Sequence, residues 1–246
     1  MLELKDITYQ FHKDEPVLRQ VSLKVAEGEF VAVIGRSGAG KTTLLKLFNA
    51  MVTPQQGSVW VDGECLSRCS GKKLQEIQQK IAVIYQDFCL VSQSTALENV
   101  LHGALYRNPF WRVMTGCFTE QDNENAKEAL SKVGLAGKAD VPVSMLSGGE
   151  KQRVAIARAM MQRARIILAD EPVASLDPVA AEQVLSLLKF LQKEKNLTVI
   201  MNSHNTPQAV RYAERIVGLR LGVVVKDAAV SSWDEKSFAA VYGGTK

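Results

Sequence analysis

The chain has 246 residues, 46% hydrophobic and 23% charged, enough to bury a large core and to hold one elaborated domain. No apolar stretch reaches bilayer-spanning length and the opening Met-Leu-Glu-Leu-Lys-Asp lacks a secretory core, so a cytoplasmic chain with at most a peripheral membrane role is expected. A net charge of +4 gives no argument for nucleic acid. Cys65, Cys69, Cys89 and Cys117 have neither paired C-x-x-C spacing nor histidines beside them, and read as reduced thiols.

In chain order, Leu2–Tyr9, Val17–Val25 and Ser58–Asp62 are β-rich or alternating and predict an antiparallel sheet, with turns at 26–29 and 53–57. Phe30–Ile34 is a continuous apolar, β-branched run, as expected of a buried parallel strand. It leads into Gly35-Arg36-Ser37-Gly38-Ala39-Gly40-Lys41-Thr42, which fits G-x-x-x-x-G-K-[ST]. Lys41–Met51, with leucines at 44, 45 and 47 and Phe48, predicts a helix behind the loop. Strand, loop and helix in that order form an anion cradle, in which backbone N–H groups and a helix N-terminus face phosphate oxygens. The expected nucleotide contacts run from Gly35 through Thr42 to Thr43. Lys41 reaches the β- and γ-phosphates and Thr42 ligates Mg²⁺.

From about Leu97 to Gln162 the pattern turns helical, and Asp122–Val133 places Ala126, Ala129, Leu130 and Val133 on one face. Leu146-Ser147-Gly148-Gly149-Glu150 precedes a helix whose apolar positions include Val154, Ile156, Ala157 and Met160. Hydroxyl, free N–H groups and helix end make a second anion cradle there. Arg165–Asp170 reads as a buried strand that delivers Asp170 and Glu171 to the edge where ligands of parallel sheets bind. Asp170 is expected to hold Mg²⁺ through water, and Glu171 to polarise the water attacking a γ-phosphate. Alternation then continues through Pro178–Lys193, Leu197–Met201, Thr206–Ala213 and Ile216–Leu219, a parallel α/β pattern with right-handed crossovers. There are no repeats, low-complexity tracts or heptads. With the sequence ending soon after Val241, no added regulatory domain is expected.

These motifs, in this order, resemble those of the ATP-binding cassette (ABC) ATPases over nearly the whole chain. Phe11 stands where the adenine-stacking aromatic belongs, with Tyr9 on the same strand face as its competitor. Gln86, in Val83-Ile-Tyr-Gln-Asp87, looks like the Q-loop glutamine that senses Mg²⁺ and the γ-phosphate. Leu146–Glu150 followed by Lys-Gln-Arg153 looks like the signature, Ala174-Ser-Leu-Asp177 like the D-loop, and His204 like the switch histidine at the γ-phosphate. The resemblance implies an α/β ABC ATPase fold: a P-loop (RecA-like) parallel-sheet core, an antiparallel β subdomain and a helical signature subdomain. The whole chain is then one cassette, with residues 1–96 and 163–246 as nucleotide-binding core and β subdomain and about 97–162 as helical subdomain.

It further implies ATP and Mg²⁺ as cofactors, a head-to-tail homodimer with each signature (Ser147, Gly148, Gly149) on the partner's ATP, and the D-loop Asp177 among the cofactor-binding residues. Separate transmembrane permease subunits and, indirectly, a periplasmic or lipid-anchored solute-binding protein complete the assembly, at the cytoplasmic face of the cell membrane. Three positions depart from the family pattern: Arg36 in the loop, Glu150 where glutamine is usual, and Asn205 where an acid is frequent. Glu150 is expected to point away from nucleotide.

A finer resemblance, carried by His102-Gly-Ala-Leu-Tyr-Arg-Asn-Pro-Phe-Trp-Arg112, Ile167–Pro172 and Arg215–Arg220, is to the ATPases of phosphonate importers and their phosphite-importing relatives. In the family, a groove beside the Q-loop receives a helix of the membrane subunit. The matching segment here is Asp87–Ala104, with apolar Phe88, Leu90, Val91 and Leu97. DNA- or ribosome-acting ABC proteins carry coiled-coil insertions, zinc elements or two cassettes, none of which is present. A soluble ABC-like scaffold of a phosphonate-degrading enzyme complex, and an importer or exporter of another solute, stay open.

Overall fold

In the computed structural model, described for residues 1–11, 15–108, 112 and 116–243, the strands form two sheets. The first sheet is four-stranded and antiparallel, in the order β2-β1-β4-β5, from β1 (Leu2–Tyr9), β2 (Leu18–Val25), β4 (Gln56–Val61) and β5 (Glu64–Cys65). The second is six-stranded, in the order β10-β9-β3-β8-β7-β6, from β3 (Phe30–Ile34), β6 (Ile81–Ile84), β7 (Ile166–Asp170), β8 (Thr198–Ser203), β9 (Arg215–Arg220) and β10 (Val223–Ala229). All neighbours in it run parallel except β9 and β10, which form an antiparallel hairpin.

The central strands are buried on both faces, and the period of two sorts their side chains into two cores. Val31, Val33, Ile166, Leu168, Ile200 and Val217 pack with the antiparallel sheet and with α1 (Lys41–Phe48). Phe30, Ala32, Ile34, Ile167, Ala169, Val199, Met201 and Ile216 pack on the opposite face with the helices. Those helices include α3 (Ala96–Leu101), α4 (Glu120–Lys132), α5 (Gly148–Gln162), α6 (Pro178–Lys195) and α7 (Thr206–Tyr212). The short α2 (Gly71–Gln79) leads into β6, and α8 (Glu235–Tyr242) lies against β9 and β10.

Several boundaries differ from the sequence reading. α1 stops at Phe48 instead of Met51, because Ala50 turns left-handed (φ 53°) and the Met51 N–H returns to the Lys46 carbonyl. The strand expected at Ser58–Asp62 is β4, which starts at Gln56 and ends at Val61. Asp62 (φ 50°) and Gly63 (φ 81°) form the tight turn into β5. A second left-handed pair, Leu221 (φ 48°) and Gly222 (φ 79°), turns β9 into β10, a strand absent from the sequence reading, as is α8. β8 extends through Asn202 and Ser203, which pair with Asp170 and Ile34.

Candidate functional site

Four adjacent strands end together, and their C-terminal ends carry the chemistry. Ile34 pairs with Ser203, Asp170 with Asn202 and Ile84 with Ala169, so the residues following β3, β8, β7 and β6 emerge along one edge.

After β3, Gly40 takes φ 103°, and a Cβ there would lie 2.6 Å from the Leu18 side chain, so both the backbone and the space demand glycine. Lys41 is buried, and its Nζ donates to the carbonyls of Gly35 (2.9 Å) and Arg36 (3.2 Å), closing Gly35, Arg36, Ser37, Gly38 and Ala39 into a curl. Gly40 caps α1 with no side-chain hydrogen bond, and the first turn carries no acid. The first-turn N–H groups through Thr43 thus keep their positive end for an external anion, which fits the phosphates of a nucleotide.

Thr42 Oγ donates to Asp170 Oδ1 (3.1 Å), and Asn202 Nδ2 donates to the same oxygen (2.7 Å). A hydroxyl and a carboxylate held at this spacing beside the phosphate loop suit Mg²⁺, which binds few protein oxygens and completes its shell with water and phosphate. Asn202 was missed in the sequence reading. It is fully buried, with its Oδ1 unpartnered, and its signal was a polar residue inside an apolar strand just ahead of the histidine.

Glu171 follows Asp170 with φ 50°, a conformation non-glycine residues adopt at a cost of roughly 1 kcal/mol. Its Oε1 lies 3.1 Å from His204 Nδ1 and 3.7 Å from Lys41 Nζ. Glu171, Ala174, Leu176, Met201 and His204 line a cavity of about 240 Å³. Asn205 serves the helix that follows. Its side chain caps α7 by accepting from the Gln208 N–H (3.0 Å).

The second cradle is capped from inside. Ser147 Oγ accepts from the Glu150 N–H and the Glu150 carboxylate accepts from the Ser147 N–H (2.9 Å), a reciprocal box at the start of α5. Lys138 pairs with Glu150, and together with the Ser147 N–H it holds the Glu150 carboxyl down at about 2. The extra acid is therefore neutralised inside the chain. Gly149 packs tightly: a Cβ there would stand 2.8 Å from Ala180 Cβ on α6, while one at Gly148 would meet Leu176 at 3.0 Å. Asp177 caps α6, accepting from the N–H groups of Val179 (3.0 Å) and Ala180 (2.9 Å). Among the described residues, no hydrogen bond or ion pair joins Ser147, Gly148, Gly149 or Asp177 to the Gly35–Thr42 loop of the same chain.

Gln86 sits exposed in the turn after β6, at the same edge as Asp170 but without a hydrogen bond to it or to Thr42. Phe11 is 55% exposed and meets Tyr9 edge-on at 5.1 Å, whereas Tyr9 is a core residue at 7%. Of the apolar residues after Gln86, Leu90 and Leu97 pack against the core, while Val91 is exposed. Pro109, Phe110 and Trp111, part of the phosphonate-importer resemblance, lie outside the described residues.

The family model described as ABC transporter matches residues 18–174. The chain is 42% identical over 243 residues to the phosphonates import ATP-binding protein PhnC of Wolinella succinogenes, covering 99% of this chain and 88% of that protein. Among solved structures, it is similar to the ATP-binding cassette MJ0796 in a dimeric post-hydrolysis state bound to ADP and Pi. That match has a TM-score of 0.82 and 33% identity, over 95% of this chain and all of that one. It is also similar to cbiO1 of Clostridium perfringens, part of the ABC transporter complex cbiONQ, with a TM-score of 0.84 and 26% identity over 97% and 92% of the two chains.

Proposed function

The chain belongs to the ABC transporter family, and on that premise we propose that it is the ATP-hydrolysing subunit of an importer for phosphonate, phosphite or a related phosphorus compound. The observation that carries the reading is the edge where Lys41, Thr42, Asp170, Glu171 and His204 converge, in a chain 42% identical along nearly its whole length to a phosphonate-import ATPase.

The residues divide the work as follows. The Gly35–Thr43 segment binds the phosphates through backbone N–H groups. Lys41, already drawn to loop carbonyls, redirects its ammonium to the β,γ-oxygens when nucleotide enters. Thr42 and Asp170, the latter steadied by Asn202, would hold Mg²⁺ together with Gln86, and the ion would supply charge neutralisation at the phosphate oxygens. Glu171 accepts a proton from the attacking water, and His204, held against Glu171, contacts the γ-phosphate. Phe11 offers its exposed ring to adenine, a role Tyr9 is too buried to share.

One phosphate loop per chain and one α5 start, exposed at Ser147 and not joined to that loop within the chain, support a twofold pair with two nucleotides between subunits. MJ0796, a structural neighbour, is itself dimeric with ADP and Pi. No helix among the described residues is long and apolar enough to cross a membrane, so the permease would be separate chains. Docking beside Asp87–Ala104 would place the protein peripherally at the cytoplasmic face, with a solute-binding protein acting indirectly. A cavity of about 600 Å³ lined by Glu98, Leu101, His102, Leu105, Phe118 and Arg158 offers space next to that segment.

Purification of the tagged chain from detergent-solubilised cells tests the reading. Recovery of a polytopic membrane protein with it is the expected result. Recovery of soluble enzymes alone would overturn transport as its purpose while leaving ATP hydrolysis in place.

A further inference from the structure

Arg158 belongs to α5, the helix that Ser147 caps, yet its guanidinium serves another element. Nη1 donates to the Cys89 carbonyl (2.6 Å) and Nη2 to the Phe88 carbonyl (3.2 Å). Phe88 and Cys89 are both left-handed, with φ 60° and 48°. Two successive non-glycine residues hold that conformation only where surrounding contacts compel it. A planar fork with donors at fixed spacing suits a pair of adjacent carbonyls in a way that an ammonium does not.

No carboxylate lies within ion-pair distance of Arg158 among the described residues, and burial disfavours its charged form. The surroundings are close-fitting as well. A Cβ at Gly103 would stand 2.3 Å from the Arg158 carbonyl, so the turn after α3 lies directly on this part of α5. At the other end of α5 the Phe88 ring comes within 3.9 Å of the Cβ position at Gly148. The loop that begins at Gln86 therefore touches α5 twice, beside the Ser147–Gly149 cradle and at Arg158.

We propose that Arg158 is a positioning residue for ATP turnover: by clamping the Phe88 and Cys89 carbonyls it makes Gln86 and the signature helix move as one body when nucleotide is bound. This rests on the reading of the chain as an ABC ATPase. Arg158 touches no nucleotide and acts through Gln86. Loss of the clamp leaves phosphate binding at the Gly35–Thr43 segment intact and misplaces Gln86 in the closed state.

The test uses the full chain, with Arg158→Met to keep the stem and remove the fork, Arg158→Lys to keep the charge, Gln86→Ala, and the Gln86→Ala/Arg158→Met pair. Fluorescent-ATP binding, MgATP turnover and thermal unfolding are measured on each. Arg158→Met is expected to lower kcat about tenfold, the scale of a modest misplacement of a catalytic group, with KM and nucleotide affinity within about twofold of the parent. Arg158→Lys should recover part of the loss. The double variant should be no slower than Gln86→Ala, because the second change acts through a side chain already removed. Parent-like kcat in both Arg158 variants, losses that multiply in the double variant, or nucleotide affinity falling in step with turnover would each overturn the proposal. A parent chain with no ATP turnover overturns the functional reading itself, and this proposal with it.

Discussion

At the scale of single residues, the site rests on side chains whose positions are over-determined. Asp170 Oδ1 accepts from both Thr42 and Asn202, and Glu171 is fixed at φ 50° between Lys41 and His204. Replacing Glu171 with Gln keeps shape and removes the proposed proton acceptor. Turnover should fall by about two to four orders of magnitude with nucleotide affinity retained, as read by single-turnover hydrolysis alongside ligand binding. Phe11→Ala should weaken nucleotide binding by about 1–2 kcal/mol, the worth of one stacked base, and raise KM with little change in kcat. Equal effects on KM from Tyr9→Ala at unchanged stability would contradict the choice between the two rings. Lys41, Thr42, Asp170 and Glu171 were legible because their chemistry needs those residue types at fixed spacing behind apolar strands. Asn202 was not, since an asparagine closing a buried strand has no spacing rule to betray it. The left-handed backbone of Glu171 was equally hidden, because glutamate gives no local signal for it.

At the scale of elements, α5 packs on the start of α6 through Gly149. Gly149→Ala puts a methyl 2.8 Å from Ala180 and should cost roughly 1–3 kcal/mol of stability, measured by denaturant unfolding; the same change paired with Ala180→Gly should recover most of it. The start of α5 also carries a pH signature. The Glu150 carboxyl is held at about 2, below its ordinary 4.5, chiefly by its hydrogen bond to Lys138. A group depressed in the folded state contributes stability that is fully present above 4.5 and is lost as pH falls towards 2. The difference in melting temperature between the parent and Glu150→Gln should therefore persist from pH 7 to 5 and narrow below about 4.5; a gap independent of pH would argue against the pairing. Elements with strong periodicity, such as α6 and the central strands, were legible within a few residues. The β9–β10 hairpin was not: its turn is Leu221-Gly222, and leucine at a left-handed position is not a turn signal. The cap that absorbs Glu150 depends on Lys138, a neighbour supplied by tertiary packing.

At the scale of the whole molecule, the arrangement is half of a machine. Ser147 at the start of α5 is exposed, and α5 is tied to its neighbours by Arg158, on the loop after Gln86, and by Gly149, packed on α6. The family, and with it the two-sheet fold, could be read from ordered motifs. The packing that would couple one motif to the next could not, because it is made of backbone carbonyls and missing side chains. Division of the chain at about residues 97 and 162 is a proposal of the same kind, consistent with α3, α4 and α5 packing on one another.

The most direct measurement is the molecular mass of the Glu171→Gln chain in solution, by light scattering after gel filtration, with and without MgATP. The chain is expected to be a monomer that becomes a dimer with MgATP and stays monomeric when Lys41→Ala is added. A Glu171→Gln chain that binds MgATP at saturation and remains monomeric would contradict that expectation.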